Sequence, residues 1–70
     1  MDLRQLQYFL ATVENQSFGR AAEVLHISQP ALSKAVKRLE LRLGVKLLDR
    51  LPRGVSPTLY GEALAAHANL

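Results

Sequence analysis

Leu6, Phe9, Leu10 and Val13 fall at i, i+3, i+4 and i+7, a continuous apolar stripe along one face of a helix. Leu3 extends the stripe by a turn, and Asp2 is a suitable cap or first-turn acid. Asn15-Gln16-Ser17 breaks the pattern, and the Ser17 hydroxyl suits the free N–H groups of a second helix over 18–25. Ala21, Ala22 and Leu25 make the buried side of that helix, and the alanines let a neighbouring helix come close. His26-Ile27-Ser28 leaves room only for a tight turn. Ser28 is a good N-cap, and Pro30 falls in a first turn, where its missing N–H costs nothing. A third helix is predicted from there to about Leu43, stopped by Gly44, a residue suited to left-handed backbone. Its apolar stripe is Leu32, Val36, Leu39 and Leu43, and its other side presents Gln29, Ser33, Lys34, Lys37 and Arg38. Leu41 lies toward the polar side, placed to cover part of a following element or a partner.

After Gly44 the period changes. Residues 45–50 read as a strand, 51–54 have turn chemistry and 55–57 form a short return strand, which Pro57 keeps at an edge or at its end. Thr58 then caps a fourth, alanine-rich helix. Leu59, Tyr60, Ala63, Leu64, Ala65, Ala66, Ala68 and Leu70 wrap around most of its circumference, so it calls for a burial partner beyond its own small domain. No stop signal follows, and the chain is expected to be the front of a longer protein.

Seventy residues make one domain near the lower limit of what a single core can stabilise, with little room for a conventional active-site cleft. A composition of 49% hydrophobic and 21% charged residues, without low-complexity tracts, is that of a folded chain. The absence of cysteine excludes a disulfide scaffold, a thiol nucleophile and a Cys-based zinc finger. No apolar run approaches the roughly 20 residues needed to cross a bilayer. The opening MDLRQLQYFL carries charges within its apolar stretch and lacks a small-residue cleavage site, unlike a signal peptide. A soluble cytoplasmic protein without a membrane partner is expected. His26 and His67 have no companions at metal-ligand spacing, no Gly-x-Ser-x-Gly elbow occurs, and Glu40 and Asp49 flank basic residues and read as ion-paired. Neither catalysis nor a cofactor is expected of this chain.

The charge distribution is more informative than the net +3. Residues 1–27 set Arg4 and Arg20 against Asp2, Glu14 and Glu23, net −1. Residues 28–53 set Lys34, Lys37, Arg38, Arg42, Lys46, Arg50 and Arg53 against Glu40 and Asp49, net +5, and Glu62 alone makes the remainder −1. On charge alone, a basic middle between acidic flanks fits a footprint for a polyanion and a solvated charged helix face equally well. Three helices, a tight turn between the second and third, and a hairpin describe a mainly α winged helix-turn-helix, followed by the fourth helix. Such a unit places the N-terminal end of its third helix against base edges in the DNA major groove.

Gln29 stands at that end, with a donor and an acceptor spaced for adenine N6 and N7. Pro30 and Ala31 offer apolar surface to a thymine methyl, and Ser33 and Lys34 reach bases or phosphates from the next turn. Ser17, Ser28, Lys37, Arg38 and Arg50 are the phosphate candidates, Arg50 being equally suited to a structural pairing with Glu40 or a backbone carbonyl. Arg53, beside Gly54 at the hairpin tip, is placed to enter a minor groove. The competing reading is an interaction module whose basic face binds an acidic protein.

The run AAEVLHISQPALSKAVKRLELRLGVKLLDR, preceded by LRQLQYFLATVENQSF and followed by PTLYGE, resembles the N-terminal DNA-binding domain of LysR-type transcriptional regulators over essentially the whole chain. The resemblance implies a bacterial regulator with its helix-turn-helix near 18–37, its wing near 46–57 and a linker helix starting at Thr58. It implies a division into a DNA-binding domain over 1–57 and a dimerisation helix from 58, with a larger effector-binding domain beyond. It further implies that Gln29, Pro30, Ser33 and Lys34 read the major groove and Arg53 the minor groove. Leu59, Ala63, Ala66 and Leu70 are then the expected dimer contacts, full-length tetramers are expected, and a small-molecule inducer acts through the further domain. Gly19 departs from the family's frequent hydroxyl residue, Leu48 from a frequent phenylalanine, and Lys34 from an arginine that would make a bidentate fork. Two copies paired through the last helix would set their third helices about 34 Å apart, or a multiple of that, on an interrupted inverted repeat.

Overall fold

Side-chain caps decide where the helices of this chain begin. In the computed structural model, which describes residues 2–68, the order is α1 (Leu3–Asn15), α2 (Phe18–Leu25), α3 (Gln29–Leu43), β1 (Leu48–Arg50), β2 (Val55–Pro57) and α4 (Leu59–Ala68). The Asp2 carboxylate accepts from Arg4 N at 2.9 Å, Ser17 Oγ from Arg20 N at 3.2 Å and Ser28 Oγ from Ala31 N at 3.1 Å, each satisfying an amide the helix leaves free. Thr58 Oγ1 does the same for Gly61 N at 3.1 Å. The ends are left-handed: Gln16 and His26 close α1 and α2 with φ of 55° and 59°, and Gly44 closes α3. The cap residues at 16 and 26 carry no glycine signal, and the sequence pattern does not announce their backbone.

The three helices pack around Phe9, Phe18, Ala21, Ala22, Leu32, Val36 and Leu39, with Leu47, Leu48 and Val55 closing the core from the wing side. Thr12 is buried among them and donates its hydroxyl to Tyr8 O at 2.8 Å, which removes the cost of burying it. β1 and β2 form an antiparallel ribbon with Leu48 opposite Pro57, Asp49 opposite Ser56 and Arg50 opposite Val55.

Three expectations need correction. The strand expected over 45–50 is confined to Leu48–Arg50. The preceding residues are engaged elsewhere: Val45 N and Leu47 N donate to the carbonyl and carboxylate of Glu40, and the carbonyls of Lys46 and Leu47 accept from Thr58. Leu3 and Leu43, placed on apolar stripes by their spacing, are exposed, because each lies at a helix end beyond the reach of the neighbouring elements. Glu40 is not Arg50's partner. Its Oε2 accepts from Leu47 N at 2.7 Å and Leu48 N at 3.2 Å, tying the start of the wing to α3.

α4 is seated on the wing by a close approach. Gly61 is buried, and a Cβ there would overlap the carbonyl oxygen of Leu47, so only glycine lets the helix sit so near. Leu64 and Ala65 pack on the core, while Leu59 is 83% and Tyr60 62% exposed, with Ala63 and Ala66 also open to solvent. The fourth expected dimer contact, Leu70, lies outside the described residues.

Candidate nucleic-acid interface

The N-terminal end of α3 is open to solvent. Gln29, Pro30 and Ala31 are all exposed because the Ser28 cap directs the chain outward before Leu32 turns back into the core. Ser33 is half-buried, and Lys34, Lys37 and Arg38 are exposed along the same helix. Ser17 and Ser28 both have their oxygens engaged as caps but keep a hydroxyl proton to give. That arrangement suits the oxygen of a phosphate, which only accepts.

Two hollows flank this end of α3. One, of about 350 Å³, lies between the start of α2, the start of α3 and the wing, and is lined by Ser17, Gly19, Gln29, Arg50 and Gly54 among others. The other, of about 500 Å³, lies between α3 and β1, and brings Ser33, Lys37, Lys46 and Arg50 to one groove. Arg50 belongs to both. Its Nη2 donates to Ser33 Oγ at 2.8 Å, and its guanidinium lies over the Phe18 ring, 4.4 Å from the centroid. The pairing expected of Arg50 with Glu40 or a carbonyl is thereby replaced by one with a residue of α3. A Cβ at Gly19 would stand 3.7 Å from Gln29 Oε1, so the departure from a hydroxyl residue there is not forced by crowding.

Arg53 is held apart from this group. The hairpin closes by Leu51 N donating to Gly54 O at 3.0 Å, and Val55 N donates to Gln16 O at 3.1 Å. Gly54 has φ of 82°, and a Cβ on it would overlap that same Gln16 oxygen, so the tip can lie against the end of α1 only as glycine. Arg53 is exposed at the tip and shares a hollow with Val13, Gln16 and Ser56, on the α1 side of the wing. The candidates for base contact therefore form two groups, one on α3 and one at the wing tip.

Sequence reasoning passed over Phe18, whose ring supports Arg50, and the amide-binding role of Glu40. Phe18 is large and apolar, which marks it for the core but not as the support of an arginine. Glu40 carries no such signal, since its partners are backbone groups several residues away. Among the described residues no cluster of His, Asp and Glu is arranged for a metal ion, and no helix is long and apolar enough to cross a membrane.

Known proteins share this architecture. The model of the bacterial regulatory helix-turn-helix protein, lysR family, matches residues 3–62. The SDS degradation transcriptional activation protein of Pseudomonas sp. (strain ATCC 19151) is 52% identical over 67 residues, covering 96% of this chain and 22% of that protein. The nitrogen assimilation regulatory protein nac of Escherichia coli (strain K12) is 52% identical over 68 residues, covering 97% of this chain and 22% of that protein. The chain thus spans about a fifth of the length of these curated relatives. The crystal structure of the BenM DBD with catB site 1 DNA superposes with a TM-score of 0.94 at 46% identity, over 99% of this chain and 77% of that one. Full-length CbnR complexed with its target DNA gives 0.93 at 42% identity, over 99% of this chain and 24% of that one. By the family match, and by a fold held in common down to the wing, the chain belongs to the lysR family of bacterial regulatory helix-turn-helix proteins.

Proposed function

We propose that this chain is the operator-reading part of a LysR-type transcriptional regulator, binding double-stranded DNA with the start of α3 in the major groove and Arg53 in an adjacent minor groove. The observation that carries the reading is the solvent-open end of α3, where Gln29, Pro30 and Ser33 stand beside Lys34, Lys37, Arg38 and Arg50. Structures of similar chains with DNA support it. Gln29 offers the bidentate contact to adenine, Pro30 an apolar one to thymine, and Lys34 a point charge suited to guanine or phosphate. Ser17, Ser28, Lys37 and Arg38 hold the backbone, which fixes register without reading sequence. The separation of Arg53 from α3 suits two grooves rather than one, and the narrow minor groove attracts arginine through its negative potential.

The exposed Leu59, Ala63 and Ala66 of α4 supply the pairing surface for a second copy, making the target an interrupted inverted repeat. The regulator acts in the cytoplasm of a bacterium, assembles further to a tetramer, and takes its small-molecule inducer on a domain outside this chain.

Selection from a pool of randomised duplexes at two salt concentrations tests the reading. Enrichment of an inverted repeat, with affinity that falls steeply as salt rises, is the expected result. Binding without an enriched sequence would reduce the basic face to a phosphate holder. No binding at low salt would transfer the case to an acidic protein partner.

A further inference from the structure

The bond between Arg50 and Ser33 constrains what Ser33 can recognise. Arginine carries five N–H donors and no acceptor, so in the 2.8 Å contact the Ser33 oxygen can only accept. A serine hydroxyl has one proton and two lone pairs. With one lone pair turned to a cation, its proton points away from that cation, and the same charge polarises the O–H and strengthens it as a donor.

Elsewhere in the fold, polar side chains within helices spend their donors on the preceding turn: Thr12 Oγ1 donates to Tyr8 O at 2.8 Å and Asn15 Nδ2 to Ala11 O at 2.7 Å. Among the described residues, none takes the proton of Ser33. Arg50 is itself fixed on a second side. Its guanidinium rests 4.4 Å from the centroid of Phe18, a ring only 6% exposed and anchored in the core.

We infer that Arg50 is a positioning residue that biases Ser33 toward donating, so that a base presenting an acceptor is preferred opposite it. In the major groove adenine and guanine offer N7, guanine adds O6 and thymine offers O4, whereas cytosine offers only its N4 amino donor. Cytosine at that position is therefore disfavoured, since its amino group meets only the second lone pair, weakened by the neighbouring cation. An unconstrained serine, free to turn its lone pairs to the DNA, would tolerate it. The inference rests on the major-groove reading proposed above and adds the rule that one position of each half-site is read negatively. It also separates Arg50 from the phosphate contacts, since it acts through another side chain.

The test is selection and competition binding on randomised duplexes with the unmodified protein, Arg50→Met, Arg50→Lys, Ser33→Ala and the Arg50→Met/Ser33→Ala double variant, with thermal melts to confirm folding. The unmodified protein should disfavour cytosine at one position per half-site by about two- to fivefold, up to the worth of a single net hydrogen bond. Arg50→Met should accept cytosine there while keeping its preferences at the other positions, whatever its overall loss of affinity. Arg50→Lys, which retains a donor, should keep the bias against cytosine. Adding Arg50→Met to Ser33→Ala should change no base preference. An Arg50→Met variant that loses affinity equally on all sequences, with cytosine still disfavoured, would overturn the inference and return Arg50 to phosphate binding. Relaxation at every position at once would also overturn it, as the mark of a loosened fold. An unmodified protein that enriches no sequence would remove the base-reading itself, and the inference with it.

Discussion

Glu40 is the residue through which the wing is fastened to α3, and its removal should be costly in a way that distinguishes charge from acceptor. Its Oε2 takes Leu47 N at 2.7 Å and Leu48 N at 3.2 Å, and both leucines are almost fully buried. A hydrogen bond to a charged group contributes about 1.5–3 kcal/mol net, and the longer of the two bonds lies at the weak end, so Glu40→Ala should cost about 3 kcal/mol. Glu40→Gln keeps an oxygen acceptor and loses only the charge assistance, roughly half of each bond, for a cost of about 1.5 kcal/mol. A chain of this size has a total stability of about 4–10 kcal/mol, so the alanine variant forfeits a third or more of it. At about 4–8 °C per kcal/mol, the melting temperature should fall by about 15–20 °C for alanine and about half as much for glutamine. Thermal melts give the comparison, and amide exchange at Leu47 and Leu48 gives the location. Two variants melting together would refute the reasoning, because attraction to nearby lysines would then matter and the acceptor would not. A loss below about 1 kcal/mol for alanine would show that water satisfies these amides once the carboxylate is gone.

Gly61→Ala should destabilise by about 2 kcal/mol in urea unfolding, since the new methyl meets the Leu47 carbonyl; helix propensity alone predicts a gain of about 1 kcal/mol, so a stabilised variant would refute the close approach. Gln29→Ala should cost about 1–3 kcal/mol and relax preference at one position per half-site, whereas Lys37→Ala should weaken all duplexes alike and reduce the salt slope by about one. Equal losses for Gln29→Ala on specific and random duplexes would end its base-reading role. Leu59 is 83% exposed, so Leu59→Glu should leave stability within about 0.5 kcal/mol while abolishing association in sedimentation. An unmodified chain that stays monomeric at every concentration would show that α4 does not pair within this chain alone.

The helices were legible because their signals are local. Asp2, Ser17 and Ser28 are caps whose partners lie two or three residues away, and Leu32, Val36 and Leu39 declare the buried face of α3 by spacing alone. The turn between α2 and α3 followed from its length. What the pattern missed depends on residues distant in the chain. The strand expected over 45–50 was read from the change of period after Gly44, but Glu40 and Thr58 compete for the same backbone groups and win all but the last three residues. Leu43 satisfied the helical period, yet no element lies across from it. The basic face was visible as a block of charge. The division of labour within it was not, because Arg50's partner Ser33 is 17 residues away and its aromatic support Phe18 lies on another helix.

Leu47 links these findings. Its N–H is held by Glu40 of α3 and its carbonyl by Thr58 N at 3.0 Å, while the buried Gly61 of α4 packs directly against that carbonyl. Both backbone groups of one residue are thus shared between the helix proposed to read DNA and the helix proposed to pair with a second copy. Among the described residues the buried apolar core is small, and directional bonds to a common residue add to packing in holding the two helices. In a dimer the angle between α3 and α4 sets the distance between the two reading ends, and with it the spacing of half-sites. The short strand is therefore a consequence of the architecture: residues 45–47 are withheld from the sheet because they serve as the joint between two helices. If the two helices have the roles proposed, substitutions at Glu40, Thr58 and Gly61 should alter the preferred half-site spacing, which selection from randomised duplexes would show.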